Sequence, residues 1–165
     1  MAKILITGVA GFIGFHLAKK LLSQNKKVIG IDNLNDYYDI KIKKDRLNIL
    51  KKEKNFLFLK DNLNNKNLYK KLTQYLNDID IVIHMAGQAG VRYSILNPET
   101  YIMNNILAYV KLLEFFKQSR KLKVILYASS SSVYGEKGQK KLSNFNVNKP
   151  ESVYSASKIS MELIS

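Results

Sequence analysis

The chain contains no cysteine, so neither a disulfide framework nor a cysteine-ligated metal is open to it, an absence that agrees with a reducing cytoplasm. Proline occurs only twice, and no Pro/Gly-rich linker or internal repeat divides the chain, so one domain is expected over 1–165. Apolar runs are short. None approaches the roughly 18 residues that a membrane span needs, and "KILITG" after Met1 is too brief for an export signal. Acidic residues are scarce, 13 Asp+Glu against 27 Lys+Arg for a net charge of +14. Such an excess can mark a nucleic-acid binder. Here the lysine pairs at 19–20, 26–27, 43–44, 51–52, 70–71 and 140–141 are spread along the chain instead of gathered with aromatics. The charge therefore reads as a solvated basic surface that also steers anionic ligands, and neither nucleic acid nor membrane is expected as a partner.

What is present is ordinary for a globular fold: 46% hydrophobic and 24% charged residues, enough for a sizeable core. Short β-rich runs alternate with segments of helical period. "KILITG" (3–8), "KVIGID" (27–32), "NFLFLKD" (55–61), "DIVIHMAG" (80–87) and "KVILYAS" (123–129) read as five buried strands. Between them "GFHLAKKLLSQ" (14–24), a segment near 66–76 and one from about Pro98 to Gln118 read as helices. The alternation predicts an α/β fold, a doubly wound parallel sheet of the Rossmann type covered on both faces. A last helix opens at Pro150, and apolar residues recur at 159, 161, 163 and 164 without a cap or glycine. The expectation is a truncated domain, incomplete at the C-terminus, with a further strand and a C-terminal domain absent from these residues.

"TGVAGFIG" places Gly8, Gly11 and Gly14 three apart, around Phe12 and Ile13, directly after the first strand. A dinucleotide pyrophosphate needs a tight turn, a bare backbone and a helix N-terminus at that place. Asp32, followed by Asn33, ends the second strand, where a carboxylate accepts the ribose 2′-hydroxyl of NAD and repels the extra phosphate of NADP. The alternatives are that the glycines only turn the chain and that Asp32 is a plain turn or cap residue. Asp61 and Asn62 end the third strand, and Ala86, Gly87 and Gln88 the fourth, where they can border the expected ligand crevice; the alternative for each is an ordinary loop residue. His84, inside an apolar strand, reads as a core histidine. No metal site is expected.

Tyr154 and Lys158 stand four apart, on one face of the last helix, 24 residues after Ser130. A free tyrosine titrates near 10, so a tyrosine base at neutral pH needs a nearby ammonium, and a serine hydroxyl on the same substrate oxygen helps further. Y-x-x-x-K alone is a common accident of helix composition; its weight comes from the glycine turn and the serine-bearing strand end in the same chain.

"TGVAGFIG", "SSSSVYG" and "YSASK", in this order and spacing, resemble the extended short-chain dehydrogenase/reductase family over all 165 residues, about the first half of a typical member. "GIDNLNDYYD" (30–39), followed by a basic helix, and "HMAGQAGVRYS" (84–94) are similar to its UDP-glucuronate 4-epimerase branch, which interconverts UDP-glucuronate and UDP-galacturonate. The resemblance implies Tyr154 as acid/base, Lys158 as the residue that tunes it and holds the nicotinamide ribose, and Ser130 as hydroxyl partner. Ser131 and Ser132 would meet the sugar carboxylate, Asn104 the cofactor, and Arg92 the anionic sugar nucleotide, unless Arg92 serves a structural ion pair. It further implies NAD as cofactor, a UDP-sugar substrate, a 4-keto intermediate and a cytoplasmic homodimer paired through helices near 98–118 and from 152 onward. These residues alone are expected to be inactive. The alternatives within the family are a 4-epimerase of a neutral UDP-sugar, and a UDP-glucuronate decarboxylase or other nucleotide-sugar dehydratase.

Overall fold

The computed structural model describes residues 3–135 and 150–165, which leaves the lysine pair 140–141 outside. The chain divides into two compact units, Met1–Ala86 with Glu114–Tyr127, and Gly87–Leu113 with Ala128–Ser165.

The first unit is built on a five-stranded parallel sheet, β1 (Lys3–Thr7), β2 (Lys27–Asp32), β3 (Phe56–Lys60), β4 (Ile79–His84) and β5 (Val124–Tyr127), in the order β3-β2-β1-β4-β5. The chain walks outward from β1 to β3 and returns on the other side at β4, so the switch point lies between the carboxyl ends of β1 and β4. Ile4, Leu5 and Ile6 are buried because the central strand has neighbours on both faces. Helix α1 (Phe12–Ser23) turns Phe15, Ala18 and Leu22 inward at helical spacing onto Ile4, Ile6, Val9 and Val28. Helix α2 (Ile40–Leu50), the basic helix, buries Leu47 and Leu50 in the same cluster. Full burial of one such aliphatic side chain contributes roughly 1.5–3 kcal/mol. Helix α3 (Lys66–Leu72) continues into a short 3₁₀ turn, Thr73–Tyr75, ahead of β4.

Coverage is less complete than the run of apolar residues predicts. Leu57 on β3 and Val124 and Leu126 on β5 are 37%, 40% and 51% exposed, because these two strands form the sheet's edges and only the central three are enclosed.

The second unit is helical. It holds α4 (Val91–Leu96), α5 (Pro98–Tyr101), a π-helical turn (Ile102–Leu107), the first part of α6 (Ala108–Phe116), a 3₁₀ turn (Ser131–Tyr134) and α7 (Val153–Ile164). The single helix expected from Pro98 to Gln118 is thus interrupted, and α4 lies in a stretch to which the sequence pattern assigns no element. Helix α7 starts three residues after Pro150 because Ser152 caps it, its Oγ accepting the Ser155 amide at 3.0 Å. Among the described residues no helix is long and apolar enough to cross a membrane, and no group of three or more His, Cys, Asp and Glu could hold a metal ion.

Candidate functional site

In the first unit the strand end is shaped by backbone. Gly8 adopts φ 70°, donates to the Ile31 carbonyl at 2.8 Å and accepts from the Gly11 amide at 3.0 Å. A Cβ at Gly8 would come within 2.7 Å of the Ala86 nitrogen, and one at Gly14 would overlap the Gly8 carbonyl oxygen. Gly8 and Gly14 therefore keep the β1–α1 junction tighter than a side chain at either position allows. Gly11 caps α1 without a side-chain hydrogen bond, so the first-turn amides remain to bind an anion. Phe12 and Ile13 in that turn are 66% and 64% exposed.

Asp32 is buried, and its carboxylate ties two loops together, Oδ2 accepting from the Ala10 amide at 2.9 Å and Oδ1 from Leu34 at 2.8 Å. It is the last residue of β2, and each carboxylate oxygen keeps a lone pair beyond these two bonds. Asn33 is exposed. Asp61 accepts from the Asn62 amide at 2.9 Å and from Asn65 at 2.8 Å, and pairs with Lys71 at 3.0 Å. Burial raises its pKa, and these bonds together outweigh burial and hold it below the usual carboxylate value. Asp61 and Asn62 are thus engaged with their own loop. His84 is fully buried with Nδ1 2.8 Å from the Thr7 hydroxyl, a core histidine, and the Ala86 amide donates to the same hydroxyl at 3.2 Å.

In the second unit the organising groups are buried side chains. Asn105, 0% exposed, accepts from the Gln88 amide at 2.6 Å and donates to the Gln88 carbonyl at 3.1 Å and to Ser157 Oγ at 2.9 Å. Ser157 in turn donates to the Tyr154 carbonyl at 2.7 Å. One asparagine therefore fixes both the segment at Gln88 and the helix that carries Tyr154. It does so from within the π turn, a distortion that recurs at functional sites. Gly87 leaves room for it, since a Cβ there would lie 3.1 Å from Asn105 Oδ1. Tyr101 is also fully buried; its hydroxyl lies 2.7 Å and 2.6 Å from the Ala89 and Gly90 carbonyls, and its ring meets the Tyr154 ring edge-on at 6.0 Å.

Lys158 is buried beneath this layer. Its ammonium donates to the Ala128 carbonyl at 2.8 Å rather than to the Tyr154 phenol, and burial lowers its pKa. Ser130 Oγ accepts from the Ser132 amide at 3.2 Å and from the Ser132 hydroxyl at 3.0 Å, so two of the four serines form one turn. Ser131 is exposed, and Ser129 donates to the Glu162 carboxylate on α7, a structural tie. Arg92 is exposed on α4, and among the described residues it forms no ion pair, against the structural alternative. Asn104 is half-buried beside the buried Asn105. Sequence reading singled out Asn104 and missed Asn105, Tyr101 and Ser157. The "NN" pair inside an otherwise apolar helical segment was the one signal for the first of these.

Residues 5–165 match the family model described as GDP-mannose 4,6 dehydratase, and the chain belongs to that family, within the extended short-chain dehydrogenases/reductases. A UDP-glucuronate 4-epimerase of Thermodesulfobacterium geofontis is 42% identical over 165 residues, which cover all of this chain and 50% of that protein. The crystal structure of UDP-glucuronic acid 4-epimerase from Bacillus cereus in complex with UDP-glucuronic acid and NAD superposes with a TM-score of 0.84 at 36% identity, over 98% of this chain and 50% of that one. The UDP-Glc/GlcNAc 4-epimerase of Campylobacter jejuni superposes with a TM-score of 0.87 at 25% identity, over 99% and 48%. The chain spans about half the length of the relatives it matches.

Proposed function

We propose that these residues belong to an NAD-dependent nucleotide-sugar epimerase that interconverts UDP-glucuronate and UDP-galacturonate. The observation that carries the reading is Tyr154 and Lys158 on one helix, with the Ser130 turn, in a chain 42% identical throughout to a UDP-glucuronate 4-epimerase.

The first unit suits the cofactor. The side-chain-free turn at Gly8, Gly11 and Gly14, with Phe12 and Ile13, would receive the pyrophosphate at the uncapped first turn of α1. Asp32 would accept the ribose hydroxyls of NAD, with Asn33, Asp61, Asn62 and Ala86 bordering the adenosine. In the second unit Gly87, Gln88 and Asn104 would line the cofactor and Lys158 would hold the nicotinamide ribose. NAD, when bound, takes up a hydride from the sugar C4 and returns it to the opposite face.

Tyr154 removes the proton of the C4 hydroxyl as that carbon is oxidised and gives it back as the carbon is reduced, so the reaction is a net isomerisation. The Ser130 hydroxyl donates to the same oxygen. Lys158 retains one N–H donor beyond those directed at the Ala128 carbonyl and the Met161 sulfur, and its charge favours the phenolate. With a carboxylate at C5 the 4-keto sugar is a β-keto acid that loses CO₂ readily. Ser131 and Ser132 would hold that carboxylate out of the geometry for decarboxylation, and Arg92 would pair with the anionic sugar nucleotide. A cytoplasmic homodimer, paired through the helices of 98–118 and from 152 onward, completes the proposal; the exposed Ile102 and Met103 support it.

A second reading, a 4-epimerase of neutral UDP-sugars, draws on the superposition with the Campylobacter jejuni enzyme, whose TM-score of 0.87 exceeds the 0.84 with the Bacillus cereus structure while its identity is lower, 25% against 36%. The full-length protein incubated with UDP-glucuronate separates the readings. UDP-galacturonate as product is expected; UDP-pentose with CO₂, or turnover of UDP-glucose alone, overturns the proposal.

A further inference from the structure

Most of helix α2 faces solvent, yet it carries a lysine inside. Lys43 is 5% exposed, whereas Lys41, Lys44 and Asp45 beside it are exposed. Burying an ammonium costs free energy unless its donors are used, and here they are. Nζ donates to the Asn35 carbonyl at 2.8 Å and to the Asn35 side-chain oxygen, and it lies 4.5 Å from the centre of the Tyr38 ring. Arg46, three residues on and so on the same helix face, donates to the Ala10 carbonyl and to the Tyr38 hydroxyl, each at 3.2 Å. Its guanidinium stands 5.6 Å from the centre of the Phe12 ring. One face of α2 therefore holds two loops, the 33–38 segment after β2 and the glycine turn after β1. Asp32 joins the same two loops through the Leu34 and Ala10 amides. The first loop needs holding, because Leu34 sits at φ 55°, a region that side-chain-bearing residues rarely adopt.

We propose that Lys43 and Arg46 are positioning residues for dinucleotide recognition: by fixing these two loops they keep the Asp32 carboxylate oriented for a ribose diol, and so set the preference for NAD over NADP. The inference rests on the cofactor reading above. Two basic residues near a ribose-binding acid could instead suggest a 2′-phosphate site. Lys43 directs two of its three donors at Asn35 and Arg46 turns its Nη1 on Ala10 and Tyr38, which ties both side chains to the loops, while the Asp32 carboxylate that joins the same loops would repel a 2′-phosphate.

The test is calorimetric titration of the full-length protein with NAD and with NADP, alongside melting temperatures. Lys43→Met should weaken NAD binding about tenfold and leave NADP binding nearly unchanged, so that the preference narrows about tenfold. Asn35→Ala and Arg46→Met should move the ratio the same way and carry the test if Lys43→Met does not fold. Because Lys43 acts through Asn35, Lys43→Met with Asn35→Ala should cost no more NAD affinity than Lys43→Met alone. A lower melting temperature with an unchanged NAD-to-NADP ratio in these variants would overturn the inference and leave the cofactor reading standing. An unsubstituted protein that binds neither dinucleotide would overturn that reading, and this inference with it.

Discussion

In the unit of residues 1–86 and 114–127, the groups assigned to the dinucleotide are shaped by backbone: a left-handed Gly8, a glycine-capped helix, and an Asp32 carboxylate whose partners are two amides. In the unit of residues 87–113 and 128–165, the corresponding work falls to buried side chains. Asn105, Ser157 and Tyr101 hold the segment at Gln88–Gly90 and the helix of Tyr154 by hydrogen bonds between residues far apart in sequence. The first arrangement leaves no room for an added Cβ at Gly8 or Gly14. The second tolerates added volume at its exposed rim but not the loss of a buried amide. Each kind of site therefore has its own point of failure.

The largest effect is expected at Gly14. Gly14→Ala sets a methyl against the Gly8 carbonyl, which belongs to rigid backbone, and should cost about 3 kcal/mol in urea unfolding together with NAD binding. Wild-type stability and binding would mean that the turn relaxes freely, and the contrast between the units would weaken. Next comes Asn105→Ala, which strands a buried amide and carbonyl of Gln88 and should cost about 2 kcal/mol by the same measurement, with a fall in kcat. The half-buried neighbour serves as control: Asn104→Ala should leave stability within about 0.5 kcal/mol while weakening NAD binding.

A smaller effect is expected from pH. Burial lowers the Lys158 pKa from 10.5, so between that lowered value and 10.5 the unfolded chain binds more protons than the folded one, and stability rises with pH across that window. Lys158→Met removes this term, so the wild type should gain stability relative to the variant as pH is raised towards 10.5 in paired unfolding curves. A constant difference would mean that Lys158 is not desolvated. The smallest is Asp61→Asn. The Asp61 pKa is lowered, so its stabilisation is present above the ordinary carboxylate value and lost as pH falls through the folded value, and the variant should show a flatter decline below about pH 4.

The same contrast decided what could be read from sequence. The five strands, the glycine turn and the place of Asp32 at the end of β2 follow from period, composition and spacing, which are local, and the first unit has all three, whereas the order of the strands in the sheet needed coordinates. Asn105 was hidden because its partners, Gln88 and Ser157, lie 17 and 52 residues away. The helix expected over 98–118 is broken for the same reason: apolar periodicity does not register a π turn around an inward-facing asparagine. Lys43 was counted with the solvated lysines, because nothing local distinguishes it from Lys44. The serine run was separable in part. Its place after β5 was legible, whereas the Ser130–Ser132 turn and the Ser129–Glu162 tie needed coordinates.

The central claim is that dinucleotide binding belongs to the backbone-shaped turn and the proton transfer to Tyr154. It is tested most directly in the full-length Tyr154→Phe protein by measuring bound NAD and conversion of UDP-glucuronate on one sample. NAD affinity within about twofold of wild type and a rate lower by at least about 100-fold are expected. Undiminished epimerisation, or loss of NAD together with activity, would contradict it.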